Sequence, residues 1–179
     1  MSPRRAALER LSLLLGGALS PQITASLTGQ VLNAGPSVAV TPEQTALLAE
    51  VADVIIPTTD TPGAKAAGVE AFILRVLRDC HELAEQESFY AGLAKIEEAG
   101  HRAHGKAFAE LSADHKTALI RTTAEKDKAF FRRLREFVVT GYFISEIGAT
   151  QALEYLPVPG RFEGDVPMQP GQKAWAISR

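Results

Sequence analysis

The sequence predicts an all-α domain: a small bundle of about five helices followed by an extended arm rich in proline and glycine. Three observations carry this. Apolar residues recur at helical spacing through most of residues 41–154, as expected of helices with one face in a core. No segment sustains the apolar–polar alternation of a half-buried strand. Helix start and stop signals, at Thr41-Pro42, Pro57 and Ser112, fall between the periodic segments. With 179 residues, 46% hydrophobic and 22% charged, the chain has enough material for one domain with a core.

Residues 1–32 read differently from the rest. Arg4, Arg5 and Arg10 against Glu9 give the start a charge of +2, so the remainder carries −4 of the net −2. No charged residue lies between Leu11 and Pro42, and the apolar run Leu11–Leu19 is too short to span a bilayer. A basic start followed by a short apolar run fits an export signal. The pair Arg4-Arg5, followed by Ala7-Leu8, resembles the twin-arginine type, although Pro3 precedes the pair and Ala7 replaces the common Phe. The other reading is an amphipathic first helix with a basic end. Residues 33–40 read as a linker.

The body, 41–154, opens on a helix with Thr41 as N-cap, Pro42 at the first helical position and Gln44 completing a capping box. Leu47, Leu48, Val51, Ala52 and Ile55 form its apolar face. Pro57 stops it, because the residue before a proline is pushed out of the α region. The second helix carries an unbroken stripe of Val69, Phe72, Ile73, Val76, Leu77 and Cys80, which places Cys80 in the core as a small hydrophobe. A third helix is expected over about Glu85–His104, with Phe89, Leu93 and Ile96 inward. A fourth starts after Ser112. A fifth covers about Lys126–Phe143, with Phe130, Leu134, Phe137, Val138 and Tyr142 on one side and Arg132, Arg133 and Glu136 solvated.

Residues 155–179 contain four prolines and three glycines, which rules out a sustained helix. They also hold Phe162 and Trp175, the only tryptophan. Such aromatics suit an arm lying on a partner, or one packed on its own bundle.

Chemistry is hard to find. There is no GxGxxG, no phosphate-binding loop, no G-x-S-x-G and no zinc pattern. A lone cysteine excludes an internal disulfide, and the net charge gives no reason to expect nucleic acid. His101 and His104 could share a helix face. They are the basis of an alternative reading, an independent helical enzyme or metal-binding domain. The pairs Glu97-Glu98 and Glu85/Glu87 read as surface. No catalytic, cofactor-binding or metal residue is assigned, and the body argues for a binding or assembly protein.

The stretch LLAEVADVIIPTTDTPGAKAAGVEAFI resembles the signature region of the small subunit of gluconate 2-dehydrogenase and its relatives. There, a helix ends in a doubled aliphatic and proline, followed by a Thr/Asp turn, Pro-Gly-Ala and a helix beginning at Val. Here these are Ile55, Ile56, Pro57, Thr58, Asp60, Pro62, Gly63, Ala64, Gly68 and Val69. The later GYFISEIGATQALEYLPVPGRFEGDVP is similar to the branch associated with glucoside (glycoside) 3-dehydrogenases.

The resemblance implies a non-catalytic small subunit that holds no cofactor itself. Its partner is a large FAD-dependent subunit of the glucose–methanol–choline type, which oxidises a sugar hydroxyl and passes electrons to a cytochrome c. The small subunit escorts its folded partner through the twin-arginine export machinery to the periplasm and supports its folding. Relatives often carry Cys near a position where this chain has Asp165, and Cys80 sits in a core stripe, so association is expected here to be non-covalent. Thr58, Thr59, Asp60, Arg161, Phe162 and Trp175 are the expected partner-facing residues, and Arg4 and Arg5 the export signal. The corner from Pro57 to Gly68 is expected to set the angle between the first two helices.

Overall fold

In a computed structural model of the chain, residues 37–155, 167 and 170–176 are described. The leader with Arg4 and Arg5, and the arm residues Arg161, Phe162 and Asp165, lie outside the described residues. Among the described residues five α-helices follow one another: α1 (Pro42–Ile55), α2 (Val69–Cys80), α3 (Leu83–His104), α4 (Ala113–Lys126) and α5 (Lys128–Ile144). A 3-10 turn, Phe108–Glu110, joins α3 to α4, and a π-helical turn, Gly148–Ala152, follows α5.

The start of α1 is built as its sequence requires. The Thr41 hydroxyl accepts from the Gln44 amide at 3.2 Å, while Gln44 Oε1 accepts from the Thr41 amide at 3.0 Å. Two backbone donors that the helix cannot satisfy are thus taken up locally. Ser112 caps α4 through the His115 amide, and Asp127 caps α5 through the Phe130 amide. The single residue Asp127 separates α4 from α5.

α1 packs against each of the other four helices. Leu48, Val51 and Ala52 are fully buried on it, and Leu47 and Ala49 nearly so. Around it lie Val69, Ile73 and Leu77 of α2, Phe89, Leu93 and Ile96 of α3, and Leu134, Val138 and Tyr142 of α5. Each large aliphatic or aromatic side chain buried this way stabilises the fold by about 1.5–3 kcal/mol relative to exposure. Phe89 also meets Phe130 and Phe137 of α5 with ring centroids 5.5 and 5.7 Å apart, tying α3 to α5. Val38 and Val40 pack on this core, and the Val38 amide donates to Gln86 Oε1 at 3.1 Å. Gln86, buried on α3, spends its other end on the His81 carbonyl at 2.9 Å.

Cys80 departs from expectation. It is exposed, not a core residue. The buried stripe of α2 stops at Leu77, because Cys80 is the last helical residue and the chain turns away at His81 before another helix can cover it. Nor is Glu85 plain surface: it bridges His81 at 2.9 Å and Arg133 of α5 at 3.3 Å, so Arg133 is not simply solvated. Glu97 accepts from the Phe108 amide at 3.2 Å, capping the 3-10 turn.

Glu50 on α1 makes the most enclosed ion pair among the described residues, to Lys116 of α4 at 2.6 Å, and a more exposed one to Lys65 at 2.5 Å. Hydrogen bonds from Lys116 first, then Lys65, hold its carboxyl below the ordinary 4.5. A depressed carboxyl contributes stability that is fully present above its unfolded value and is lost as pH falls through the folded value. Glu50→Gln is therefore expected to cost about 1–2 kcal/mol at neutral pH, since Lys116 is only 14% exposed and would lose its counter-charge. Urea midpoints across the acid range check this: the variant should lose less stability than the parent below about pH 4.5.

Candidate partner interface

Between α1 and α2 the chain makes a closed corner. Ile56 ends α1, its amide donating to the Ala52 carbonyl, and Pro57 turns the chain outward. The loop is then tied shut: the Ala64 amide donates to the Ile56 carbonyl at 2.9 Å, and the Gly63 amide to the Thr58 hydroxyl at 2.9 Å. Gly63 is required by this closure. A Cβ there would lie 2.6 Å from the Thr58 amide nitrogen and 2.7 Å from the Ile56 carbonyl oxygen. Gly68 precedes α2 at φ 65°, a left-handed conformation that glycine adopts without strain.

The corner is fastened to the far end of α5. The Tyr142 hydroxyl donates to the Pro62 carbonyl at 2.8 Å and lies 3.4 Å from the Thr61 hydroxyl. Tyr142 is itself buried, so the fastening is rigid. Thr58, Thr59 and Asp60 are exposed on the outside. Thr58 has spent its hydroxyl on Gly63, and the Thr59 hydroxyl donates to Asp60 Oδ1 at 2.8 Å. That bond and the backbone amide of Asp60 hold its carboxyl below the usual carboxylate range, with Lys173 adding a smaller push.

Lys173 brings the C-terminal segment to this end. Its ammonium donates to the Gln151 carbonyl at 2.5 Å. Two residues on, β2 (Trp175–Ala176) pairs in parallel with β1 (Glu154–Tyr155), Glu154 opposite Trp175. This short pair was not legible as strand in the sequence. Trp175 is 42% exposed. Phe143 and Ile144, at the end of α5, and Tyr155 are also exposed, Ile144 at 63%. Val139, one turn before Phe143, joins them, and Leu83 is the one large apolar side chain of this kind outside residues 139–175 among those described.

α5, the π turn, β1 and β2 pack on one another in sequence, so these apolar groups gather on neighbouring elements beside the corner. The structure thus groups Thr58, Thr59, Asp60 and Trp175 at one end. Sequence reasoning missed Val139, Phe143, Ile144 and Tyr155. The available signal was a second, outward apolar pair, Val139 and Phe143, four residues apart on α5.

The histidines of the alternative reading do not converge. His101 pairs with Glu97 at 3.2 Å, whereas His104 stacks on His115 with ring centroids 4.0 Å apart. Among the described residues no group of three or more His, Cys, Asp or Glu could hold a metal ion. No helix among them is long and apolar enough to cross a membrane.

A sequence model of the family described as gluconate 2-dehydrogenase subunit 3 matches residues 42–160, from the start of α1 past β1. No curated protein matches the chain, and no solved structure does.

Proposed function

The chain belongs to the gluconate 2-dehydrogenase subunit 3 family, and from that premise we propose that it is the non-catalytic small subunit of an FAD-dependent sugar dehydrogenase of the glucoside 3-dehydrogenase kind. The observation that carries this reading is the end of the bundle just described. A rigid, fastened corner stands beside exposed Phe143, Ile144, Tyr155 and Trp175. Clustered exposed aromatic and aliphatic side chains mark a surface that gains free energy by being covered. The family's description as a dehydrogenase subunit supports assigning the chemistry to the partner.

In this reading the partner is a larger subunit of the glucose–methanol–choline type that holds the FAD and oxidises the sugar hydroxyl, with a cytochrome c as electron acceptor. This chain's sequence contains no glycine-rich phosphate cradle for a flavin dinucleotide. Its part is to bind the flavoprotein, support its folding and carry it to the periplasm on the twin-arginine leader. The test is a pull-down of the tagged chain from its native cells with a flavin absorbance scan. A yellow complex that reduces dye on adding sugar supports the reading, and a colourless, monodisperse single chain overturns it. Arg4→Lys with Arg5→Lys is expected to leave the complex intact while periplasmic flavoprotein falls by at least ~10-fold, measured by fractionation. Unchanged periplasmic flavoprotein would remove the escort role and leave the binding role standing.

A further inference from the structure

At the other end of α1 lies an open groove of about 520 Å³. Its floor is Ala46 and Leu47 of α1, Leu93 and Ala94 of α3, and Ala107 and Ala109 around the 3-10 turn. Its rim is acidic: Glu43, Glu97 and Glu98 line it, with His101 the one basic side chain. The groove and the Pro57 corner lie at opposite ends of a 14-residue helix, about 20 Å apart. It is therefore separate from the end assigned to the catalytic partner.

The polar groups here are unevenly committed. Gln44 is spent on the capping box, and Glu97 on the Phe108 amide and His101. Glu98 keeps only a loose 3.9 Å contact with Arg102, itself largely exposed. Glu43, in the first turn of α1, has its carboxyl held below the ordinary range by its own backbone amide and the Thr41 hydroxyl, so it is ionised at neutral pH. A small polar ligand would find no set of convergent donors on a floor of alanine and leucine. A helix could lay a row of apolar side chains along that floor and set lysines or arginines against Glu43 and Glu98.

We propose that this groove docks a basic amphipathic helix of a partner protein, its apolar face on Leu47, Leu93 and Ala94 and its cationic flanks against Glu43 and Glu98. The inference goes beyond the subunit reading and does not depend on which dehydrogenase the chain serves. Charge complementarity chooses this occupant: an acidic or neutral apolar helix would face the same floor but repel, or fail to engage, the rim.

The test uses the full chain and a synthetic 14-residue peptide with leucines at i, i+3, i+4 and i+7 and lysines on both flanks. A second peptide of the same pattern carries glutamates. Fluorescence anisotropy is expected to detect binding of the lysine peptide, weakening as salt rises, and none of the glutamate peptide. Ala94→Trp, which fills the groove, and Glu43→Lys with Glu98→Lys should each weaken binding at least ~10-fold. Glu125→Lys with Glu136→Lys, exposed reversals elsewhere, should leave it unchanged. Circular dichroism checks that all variants fold. The proposal is overturned if the lysine peptide does not bind, or if the distant charge reversal weakens it as much as the groove variants. It also fails if Ala94→Trp shifts the sedimentation of the chain alone, since the groove would then be filled by a second copy.

Discussion

Phe143→Asp combined with Trp175→Ala is expected to separate the chain from the flavoprotein proposed as its partner. Both side chains are about two-fifths exposed, with Phe143 also edge-on to the Tyr142 ring, so the isolated chain is expected to stay folded with a modest fall in thermal midpoint. In a complex the same side chains would be desolvated against the partner. Truncating a central aromatic anchor typically costs about 2–4 kcal/mol of binding, and a buried carboxylate at the second site adds to that. The combined loss corresponds to at least ~100-fold in dissociation constant. Co-purification with the flavin chromophore, followed by titration of the separated subunits, measures it. Retention of the yellow partner at parental affinity would mean that the Tyr142 end is not the interface, even though the family assignment stands.

Gly63→Ala is expected to cost much stability for a single added methyl group. The contacts a Cβ would make are to backbone, the Thr58 nitrogen and the Ile56 oxygen, and neither can swing aside as a flexible side chain can. Asp53 Oδ1, 2.8 Å away, adds a third obstacle. The corner can accept the methyl only by opening, which loses the Ala64–Ile56 and Gly63–Thr58 hydrogen bonds and loosens the Tyr142 fastening. Overpacking of this kind costs about 1–3 kcal/mol, and the loss of paired backbone groups places this site at the upper end. Chemical denaturation of the purified chain checks it. Gly63→Ala should also weaken partner binding, whereas Tyr142→Phe, which removes only the hydroxyl, should cost about 1 kcal/mol. A Gly63→Ala protein as stable as the parent would show that the corner relaxes without opening.

Legibility in the sequence follows the range of the interaction. The α1 start could be read because Thr41 and Gln44 satisfy each other's amides across three residues, and no distant contact is needed. The same holds for Ser112 as cap of α4, and for Pro57 as the stop of α1, where proline sterics act on the residue before it. Pro-Gly-Ala after the Thr/Asp turn could be read as a specified corner, although its need for Gly63 rests on atoms of Thr58, Ile56 and Asp53 earlier in the chain. Periodicity likewise named most of the core, since a stripe at helical spacing must face something apolar.

Periodicity gives the face of a helix and not how far along that face a neighbour reaches. Cys80 sits on the right stripe of α2 yet is exposed, because it is the last helical residue and the chain turns at His81. For the same reason α1, whose pattern suggested one apolar face, serves as the central helix touched by all four others. The candidate interface was half legible: Thr58, Thr59, Asp60 and Trp175 stood out by type and position. Joining them needed Tyr142 to reach Pro62 across 80 residues and Trp175 to return beside Glu154. By itself the sequence determined the five helices, the caps Thr41 and Ser112, a corner at Pro57 and the absence of familiar catalytic motifs, all set by near neighbours. Only the tertiary structure decided which apolar residues stay uncovered and which segments share an end, because both depend on where distant elements stop.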